Sequence, residues 1–100
     1  MALMATEVDP AGIEPRAILQ TVDFHNARVL EVGAGDGRLT LRYAERAESV
    51  VGIDSKEQDI RSAINACAGL QRRVRFLCAS ATALPFPAEE FQIVLLASSL

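Results

Sequence analysis

The chain has 100 residues, of which 50% are hydrophobic and 23% are charged, and its formal net charge is −3. This length allows one small globular domain, and the mildly acidic balance gives no sign of affinity for nucleic acid or for an acidic membrane surface. No apolar run approaches the roughly 20 residues that span a bilayer, and the first residues lack the basic and apolar regions of a secretory signal. We therefore expect a cytoplasmic protein.

Residues 1–27 are predicted to form a lead-in segment and one helix. The first twelve residues show no clear period and contain the turn signal Asp9-Pro10-Ala11-Gly12, so we expect them to be loose. A helix opens at Glu14-Pro15-Arg16, where proline is acceptable in the first turn, and it ends at Phe24-His25-Asn26.

The next segments alternate between strands and helices. Residues 28–32 are apolar on both faces, which is typical of a strand covered on both sides in a parallel sheet. Three alternate glycines follow, and a helical pattern then runs through Leu39, Tyr43, Ala44 and Ala47. Residues 50–53 predict a second buried strand, which Asp54 closes.

The alternation continues to the end of the chain. Residues 55–58 have the form of a capping box, a serine followed three residues on by glutamine. The helix that this box opens carries an apolar face at helical spacing, made of Ile60, Ala63, Ile64 and Cys67. Residues 74–78 and 91–97 predict the third and fourth strands, with a loop over 79–90 between them.

This order of elements predicts an α/β fold over residues 28–100. Buried strands that alternate with helices imply right-handed crossovers, and hence a Rossmann-like, doubly wound parallel sheet of about four strands with helices on both faces. The ligand crevice of such a sheet lies at the carboxyl ends of its strands, at the topological switch point. Residues 33–37, 54, 80–82 and 97–99 are therefore expected along one rim.

The clearest chemical signal is the pattern Glu31-x-Gly33-x-Gly35-x-Gly37. Glycine accepts positive φ and places no Cβ between the backbone and a ligand, and a helix that follows such a turn offers free N–H groups. The spacing departs from the dinucleotide fingerprint, which needs glycine in place of Arg38, and from the P-loop, which needs a lysine. A tight turn without a ligand is the alternative interpretation.

Asp54 adds a second element to this site. It follows the first glycine by about twenty residues at the end of the next strand, where a carboxylate can accept hydrogen bonds from both hydroxyls of a ribose. The alternative is a solvated carboxylate beside the predicted cap at Ser55. Together, the glycines and Asp54 favour a nucleotide-type cofactor.

The run VLEVGAGDGRLT at 29–40 resembles motif I of the class I S-adenosylmethionine-dependent methyltransferases. VVGID at 50–54 is similar to their second motif. ALPFP at 83–87 followed by FQIV at 91–94 resembles the loop and fourth strand of the type 11-like branch, which acts mostly on small molecules. The resemblance extends over residues 28–100 and implies S-adenosylmethionine as cofactor.

At the methionine end of that cofactor, the resemblance implies that the backbone of Gly33, Ala34, Gly35 and Gly37 wraps the ligand. Glu31 is implied to hold the loop and to approach the ammonium group through hydrogen bonds or water.

At the nucleoside end, the resemblance implies that Asp54 binds the ribose hydroxyls and that Ser55 lies against the adenine. Ser80 and Ala81 would meet the adenine edge, and residues from Ala97 onward would face the sulfonium.

Two substitutions depart from the family pattern. Ser80 and Gln92 stand where the family usually has aspartate. Both keep hydrogen-bonding capacity but lack charge, so we expect a weaker bond from Ser80 to the adenine.

The chain supplies four of the family's usual seven strands and stops in the apolar segment 95–100. An open apolar edge is therefore expected on the fourth strand. This favours the cofactor-binding half of a longer methyltransferase, inactive by itself, over a homo-oligomer that pairs through that edge. A non-catalytic cofactor-binding remnant or interaction module is the alternative function.

Few other residues indicate chemistry. His25 is predicted to be a solvated helix-end residue, and Cys67 and Cys78 are predicted to be small core residues in a reducing compartment, with no metal site. No catalytic side chain is assigned, because transfer of a methyl group from a sulfonium chiefly requires alignment of the reactants. The methyl acceptor is expected to be a small molecule that the sequence does not identify.

Overall fold

The structure is a computed structural model that describes residues 4–8, 20–80, 82–83 and 87–97. Its strands are β1 (Met4–Val8), β2 (Arg28–Val32), β3 (Ser49–Asp54), β4 (Val74–Cys78) and β5 (Ile93–Ala97). Its α-helices are α1 (Arg38–Tyr43) and α2 (Glu57–Ala66), and short 3-10 helices cover Ala68–Leu70 and Ala88–Glu90. None of the helices in these ranges is long and apolar enough to cross a membrane.

The strands form one parallel sheet in the order β1-β5-β2-β3-β4. From β2 the chain moves outward through β3 to β4, and it then returns to the other side of β2 as β5. The topological switch point therefore lies between the carboxyl ends of β2 and β5. This arrangement confirms the predicted Rossmann-like α/β fold.

The edge of β5 differs from the prediction. Met4–Val8 pairs in parallel with β5, from Met4 opposite Ile93 to Val8 opposite Ala97. The predicted loose lead-in is therefore wrong for these five residues, and so is the predicted open edge, because backbone groups on both sides of β5 find partners. The homo-oligomer stays a prediction, but the β5 edge on which it was based is paired with β1.

The domain boundary after residue 27 also stays a prediction. Gln20 and Thr21 are helical, in agreement with the predicted helix, and the rest of that helix lies outside the described residues.

Side chains alternate between the two faces of the sheet, as the pleat requires. On one face, buried residues of β2, β3, β4 and β5 pack with α1 and with the end of α2, in a core that includes Val29, Val50, Val74, Leu95, Tyr43 and Cys67. The opposite face carries a smaller cluster of Leu30, Ile53 and Phe91. Both described α-helices pack on the first face and contact each other.

Helix α2 differs from its sequence prediction in two details. Its N-cap residue is Lys56, without a side-chain capping bond, so the capping box predicted from Ser55 does not form. Ile60 and Ala63 are buried, but Ile64 is 51% exposed. The helix packs on β3 and on β4, which is the outermost described strand on that side, so Ile64 has no further strand to cover.

Gln92, one of the two departures from the family pattern, lies at the amino edge of the sheet. Its side-chain oxygen accepts a hydrogen bond from the Arg28 backbone N–H at 2.7 Å, and its own N–H donates to the Arg28 carbonyl at 2.9 Å. Gln92 therefore joins the starts of β5 and β2 and lies away from the carboxyl edge, where ligands bind in such sheets.

Candidate functional site

The loop Gly33–Gly37 follows β2 directly at the switch point. All three of its glycines have positive φ, at 79° for Gly33, 58° for Gly35 and 84° for Gly37. A Cβ on Gly33 would lie 1.9 Å from the carbonyl oxygen of Ala97, at the end of β5. Only glycine fits there, and the carboxyl ends of β2 and β5 are thereby brought into contact, as the sequence predicted for this rim.

Hydrogen bonds tie the first part of the loop to β3. The N–H groups of Gly33 and Ala34 both donate to the carbonyl oxygen of Ile53, at 2.8 and 2.9 Å. The N–H of Gly35 donates to Oδ2 of Asp54 at 3.0 Å. The loop is therefore held by the strand that carries the predicted ribose-binding carboxylate.

Asp54 is the last residue of β3 at the carboxyl edge and is 6% exposed. Besides the bond from Gly35, its Oδ1 accepts a hydrogen bond from the Lys56 N–H at 2.9 Å. Both oxygens are thus fixed by backbone donors, one from each of two successive turns. This second role was not predictable from the sequence, because residue spacing does not show which way a carboxylate turns.

Glu31 lies in the interior and is 1% exposed. Its Oε1 accepts hydrogen bonds from the hydroxyls of Thr40 at 2.8 Å and Tyr43 at 2.6 Å, both on α1. The carboxyl group therefore connects the strand before the glycine loop to the helix after it. The role toward the cofactor that the family resemblance implied for Glu31 stays a prediction.

Burial determines the electrostatics of this group. Desolvation raises the pKa of Glu31 to about 7, although the hydrogen bonds from Tyr43 and Thr40 act in the opposite direction. Desolvation, and then the nearby charge of Glu31, raise the pKa of Tyr43 well above its usual value. Oε2 of Glu31 is buried and has no hydrogen-bond partner among the described residues, so it can accept a further bond.

The remaining predicted residues lie at the outer part of the rim. Ser55 is exposed, and its carbonyl oxygen lies 3.5 Å from Sγ of Cys78. Ser80 forms a turn in which its hydroxyl lies 2.8 Å from that of Thr82 and accepts a bond from the Thr82 N–H. Ala97 is half-buried at the end of β5, whereas Ala81 and residues 98–99 lie outside the described residues.

Two cysteine predictions have different outcomes. Cys67 is buried in the core, as predicted, but Cys78 is exposed at the end of β4, so its predicted core position is wrong. The side chain of Cys78 projects beside the turn after β3, where the described part of the chain leaves it uncovered. His25 is exposed, as predicted. Within the described residues, no group of His, Cys, Asp and Glu side chains could hold a metal ion.

A known protein family matches the part of the chain that carries the glycine loop. The family described as the methyltransferase domain matches residues 29–100. The chain belongs to the class I S-adenosylmethionine-dependent methyltransferases. The matched range begins in β2, so the glycine loop and Asp54 both lie within it.

Individual methyltransferases show the same likeness. The chain is 38% identical over 68 residues to phosphoethanolamine N-methyltransferase 3 of Arabidopsis thaliana, in a match that covers 66% of this chain and 14% of that protein. The crystal structure of YcgJ from Bacillus subtilis matches with a TM-score of 0.73 at 28% identity, covering 80% of this chain and 35% of that one.

A third match contains ligands. Phosphoethanolamine N-methyltransferase 1 of Haemonchus contortus, solved with phosphoethanolamine and S-adenosylhomocysteine, has a TM-score of 0.67 at 27% identity, over 72% of this chain and 16% of that one. The present chain thus spans about a third or less of the length of these three proteins.

Proposed function

We propose that this chain binds S-adenosylmethionine at its carboxyl edge and is the cofactor-binding half of a methyltransferase that acts on a small molecule. The observation that carries the proposal is the loop Gly33–Gly37. Three positive φ angles turn its backbone, and a Cβ built on Gly35 would meet no atom within 4 Å. A ligand can therefore approach the backbone itself at this point.

The orientation of Asp54 supports the ribose contact. Each carboxylate oxygen can accept more than one hydrogen bond, and each oxygen of Asp54 already accepts one from the backbone. These two bonds orient the carboxylate without exhausting its capacity. We therefore assign Asp54 to the ribose hydroxyls, with the exposed Ser55 and the turn at Ser80 on the adenine side.

Glu31 supports binding from beneath the loop. Its burial places it out of direct reach of a ligand, so we assign it the tie between β2 and α1. The unpartnered Oε2 leaves room for a hydrogen-bonded path toward an ammonium group. The described residues thus fit the cofactor at its ribose and methionine ends.

Bound S-adenosylmethionine supplies an activated methyl group on a sulfonium. The residues of this chain bind and orient it, and we assign none of them as an acid or a base, because alignment alone accelerates such a displacement. The small-molecule acceptor is supported by the names of two of the similar proteins, which include phosphoethanolamine. The cytoplasmic location and the absence of nucleic-acid and membrane partners stay predictions.

Calorimetric titration of the folded chain with S-adenosylmethionine and S-adenosylhomocysteine tests cofactor binding. Asp54→Asn is expected to weaken binding by about 1–3 kcal/mol, because one charged acceptor is lost. Asp23→Asn is the matched control. Asp23 lies before β2 at the opposite edge, and its Oδ1 accepts the His25 N–H, which asparagine can still do. Unchanged binding by Asp54→Asn removes Asp54 from the site.

Two further outcomes separate the competing functions. The absence of heat at millimolar ligand contradicts cofactor binding altogether. The non-catalytic remnant is favoured if the wild-type chain binds the cofactor but the longest protein that contains this chain transfers no methyl group.

A further inference from the structure

Gly52, in the middle of β3, makes room for an aromatic ring. A Cβ at this position would lie 2.7 Å from Cδ1 and Cε1 of Phe76 and 3.0 Å from Cβ of Ala34. Phe76 is the direct neighbour of Gly52 in the β3–β4 register. Glycine weakens a strand interior and often marks the close approach of another group. The group that approaches here is the Phe76 ring.

The same ring extends to the last glycine of the loop. A Cβ on Gly37 would lie 3.5 Å from Cζ of Phe76 and 3.1 Å from Cα and Cβ of Ala63. Phe76 on β4 and Ala63 on α2 therefore form a floor under Gly37. This floor joins two elements that lie outside the loop itself.

The two halves of the loop are held differently. Gly33, Ala34 and Gly35 are hydrogen-bonded to β3, whereas the N–H of Gly37 donates to the carbonyl oxygen of Ala34, within the loop. That internal bond fixes the shape of the turn but not its height above the sheet. Packing against Phe76 and Ala63 supplies the missing restraint.

We propose that Phe76 is a positioning residue whose ring sets the height of Gly37 above the sheet and thereby the affinity of the glycine loop for its nucleotide-type cofactor. This inference rests on the proposed cofactor binding. A loop that is already in its bound shape loses less conformational freedom when a ligand binds, so its affinity is higher.

Phe76→Leu tests the proposal, since leucine keeps an apolar side chain but does not reach Cζ. We expect the dissociation constant for S-adenosylhomocysteine to rise about tenfold, and hydrogen exchange of the Gly37 amide to accelerate more than that of Gly33. Leu70→Ala is the control, because Leu70 packs against the same core from the 3-10 helix that precedes the amino end of β4, whereas the loop lies at the carboxyl edge.

Phe76→Tyr provides a second variant that keeps the ring on Gly52. It adds an oxygen at Cζ, the ring atom nearest to Gly37, so it pushes Gly37 further from the sheet and leaves no empty space beneath it. We expect weaker binding here as well, with a melting temperature close to that of the wild type. This variant keeps the proposal testable if Phe76→Leu does not fold.

The outcomes are distinguishable. Unchanged affinity and unchanged Gly37 exchange in the Phe76 variants overturn the proposal, as does an equal loss of affinity in Leu70→Ala, which would reduce Phe76 to a general core residue. A wild-type chain that does not bind S-adenosylhomocysteine contradicts the proposed function instead. In that case selective exchange at Gly37 still decides whether the ring positions the loop.

Discussion

Two successive strand-to-helix turns lie side by side at the carboxyl edge of the sheet, and they are built differently. The first turn, Gly33–Gly37, leaves β2 through three residues with positive φ. The second turn, Ser55–Lys56, leaves β3 through an extended Lys56 that caps α2. The first turn offers bare backbone to a ligand, whereas the second is an ordinary helix start.

The acids of the two strands show what this difference means. Glu31 lies one residue before the end of β2 and turns inward to α1, whereas Asp54 is the last residue of β3 and turns to both loops. The second turn therefore supports the first, because the Lys56 N–H orients Asp54 and the other oxygen of Asp54 holds the Gly35 N–H. A site that looks local in sequence depends on the crossover through α1, which places β3 beside β2.

The largest effect is expected at Gly33. Gly33→Ala places a Cβ 1.9 Å from a backbone carbonyl oxygen and at a φ of +79°, so we expect a loss of about 3–5 kcal/mol in the free energy of unfolding. Urea denaturation measures it. In the control Gly69→Ala, the added Cβ would meet no atom within 4 Å, so we expect the free energy of unfolding to change by no more than about 1 kcal/mol. Equal effects at the two glycines would show that β5 does not approach the first turn.

Glu31 should make stability depend on pH. Its pKa is raised from 4.5 to about 7, so the folded state binds more protons than the unfolded state between these values. The stabilisation that protonated Glu31 contributes to the folded state is complete below about pH 4.5. It is lost as the pH rises through 7, and the total loss is about 3 kcal/mol. Glu31→Gln should remove this slope in denaturation curves measured from pH 5 to 8.5. A variant with the wild-type slope would assign the dependence to other groups.

Gly35 should show a smaller effect than Gly33. Its φ of +58° disfavours an L side chain, but the space around its Cβ position is open, so Gly35→Ala should cost about 1–2 kcal/mol in unfolding free energy. Gly35→Asn should cost less, because asparagine tolerates this conformation, as Asn26 does here at φ 55°. A cost at Gly35 as large as that at Gly33 would mean that the space is not open.

The smallest effect is expected in the second turn. Ser55→Ala should change the melting temperature little and the free energy by less than about 0.5 kcal/mol, because Ser55 is exposed and makes no capping bond. A functional serine cap would lose about 1 kcal/mol. A loss of that size would restore the capping box that the sequence predicted.

Several elements of the fold could be predicted from local signals. The bounds of β2 and β4 agree with the structure, because short, mostly apolar runs bounded by turn residues are recognisable over five residues. The strand β1 was missed because Met4–Val8 has no period of its own and is a strand only in register with β5. Strand pairing is a long-range interaction that such a short segment does not encode.

The site was predictable to a similar extent. Three alternate glycines and an acid at the next strand end are local features with a direct physical meaning. Phe76 was missed, although Gly52 in a buried strand was a signal, since glycine in a strand interior marks the close approach of another group. The direction of that approach depends on the register of β4.

The sequence by itself determined the parallel α/β fold, the glycine loop and the position of Asp54 at its rim, because hydrophobic period and glycine content act over a few residues. Only the tertiary structure decided what holds the loop in place: the carbonyl of Ala97 above Gly33, the carboxylate of Asp54 at Gly35 and the ring of Phe76 under Gly37. These contacts join residues that are between 19 and 64 positions apart in the chain, and their geometry is set by the strand order and register.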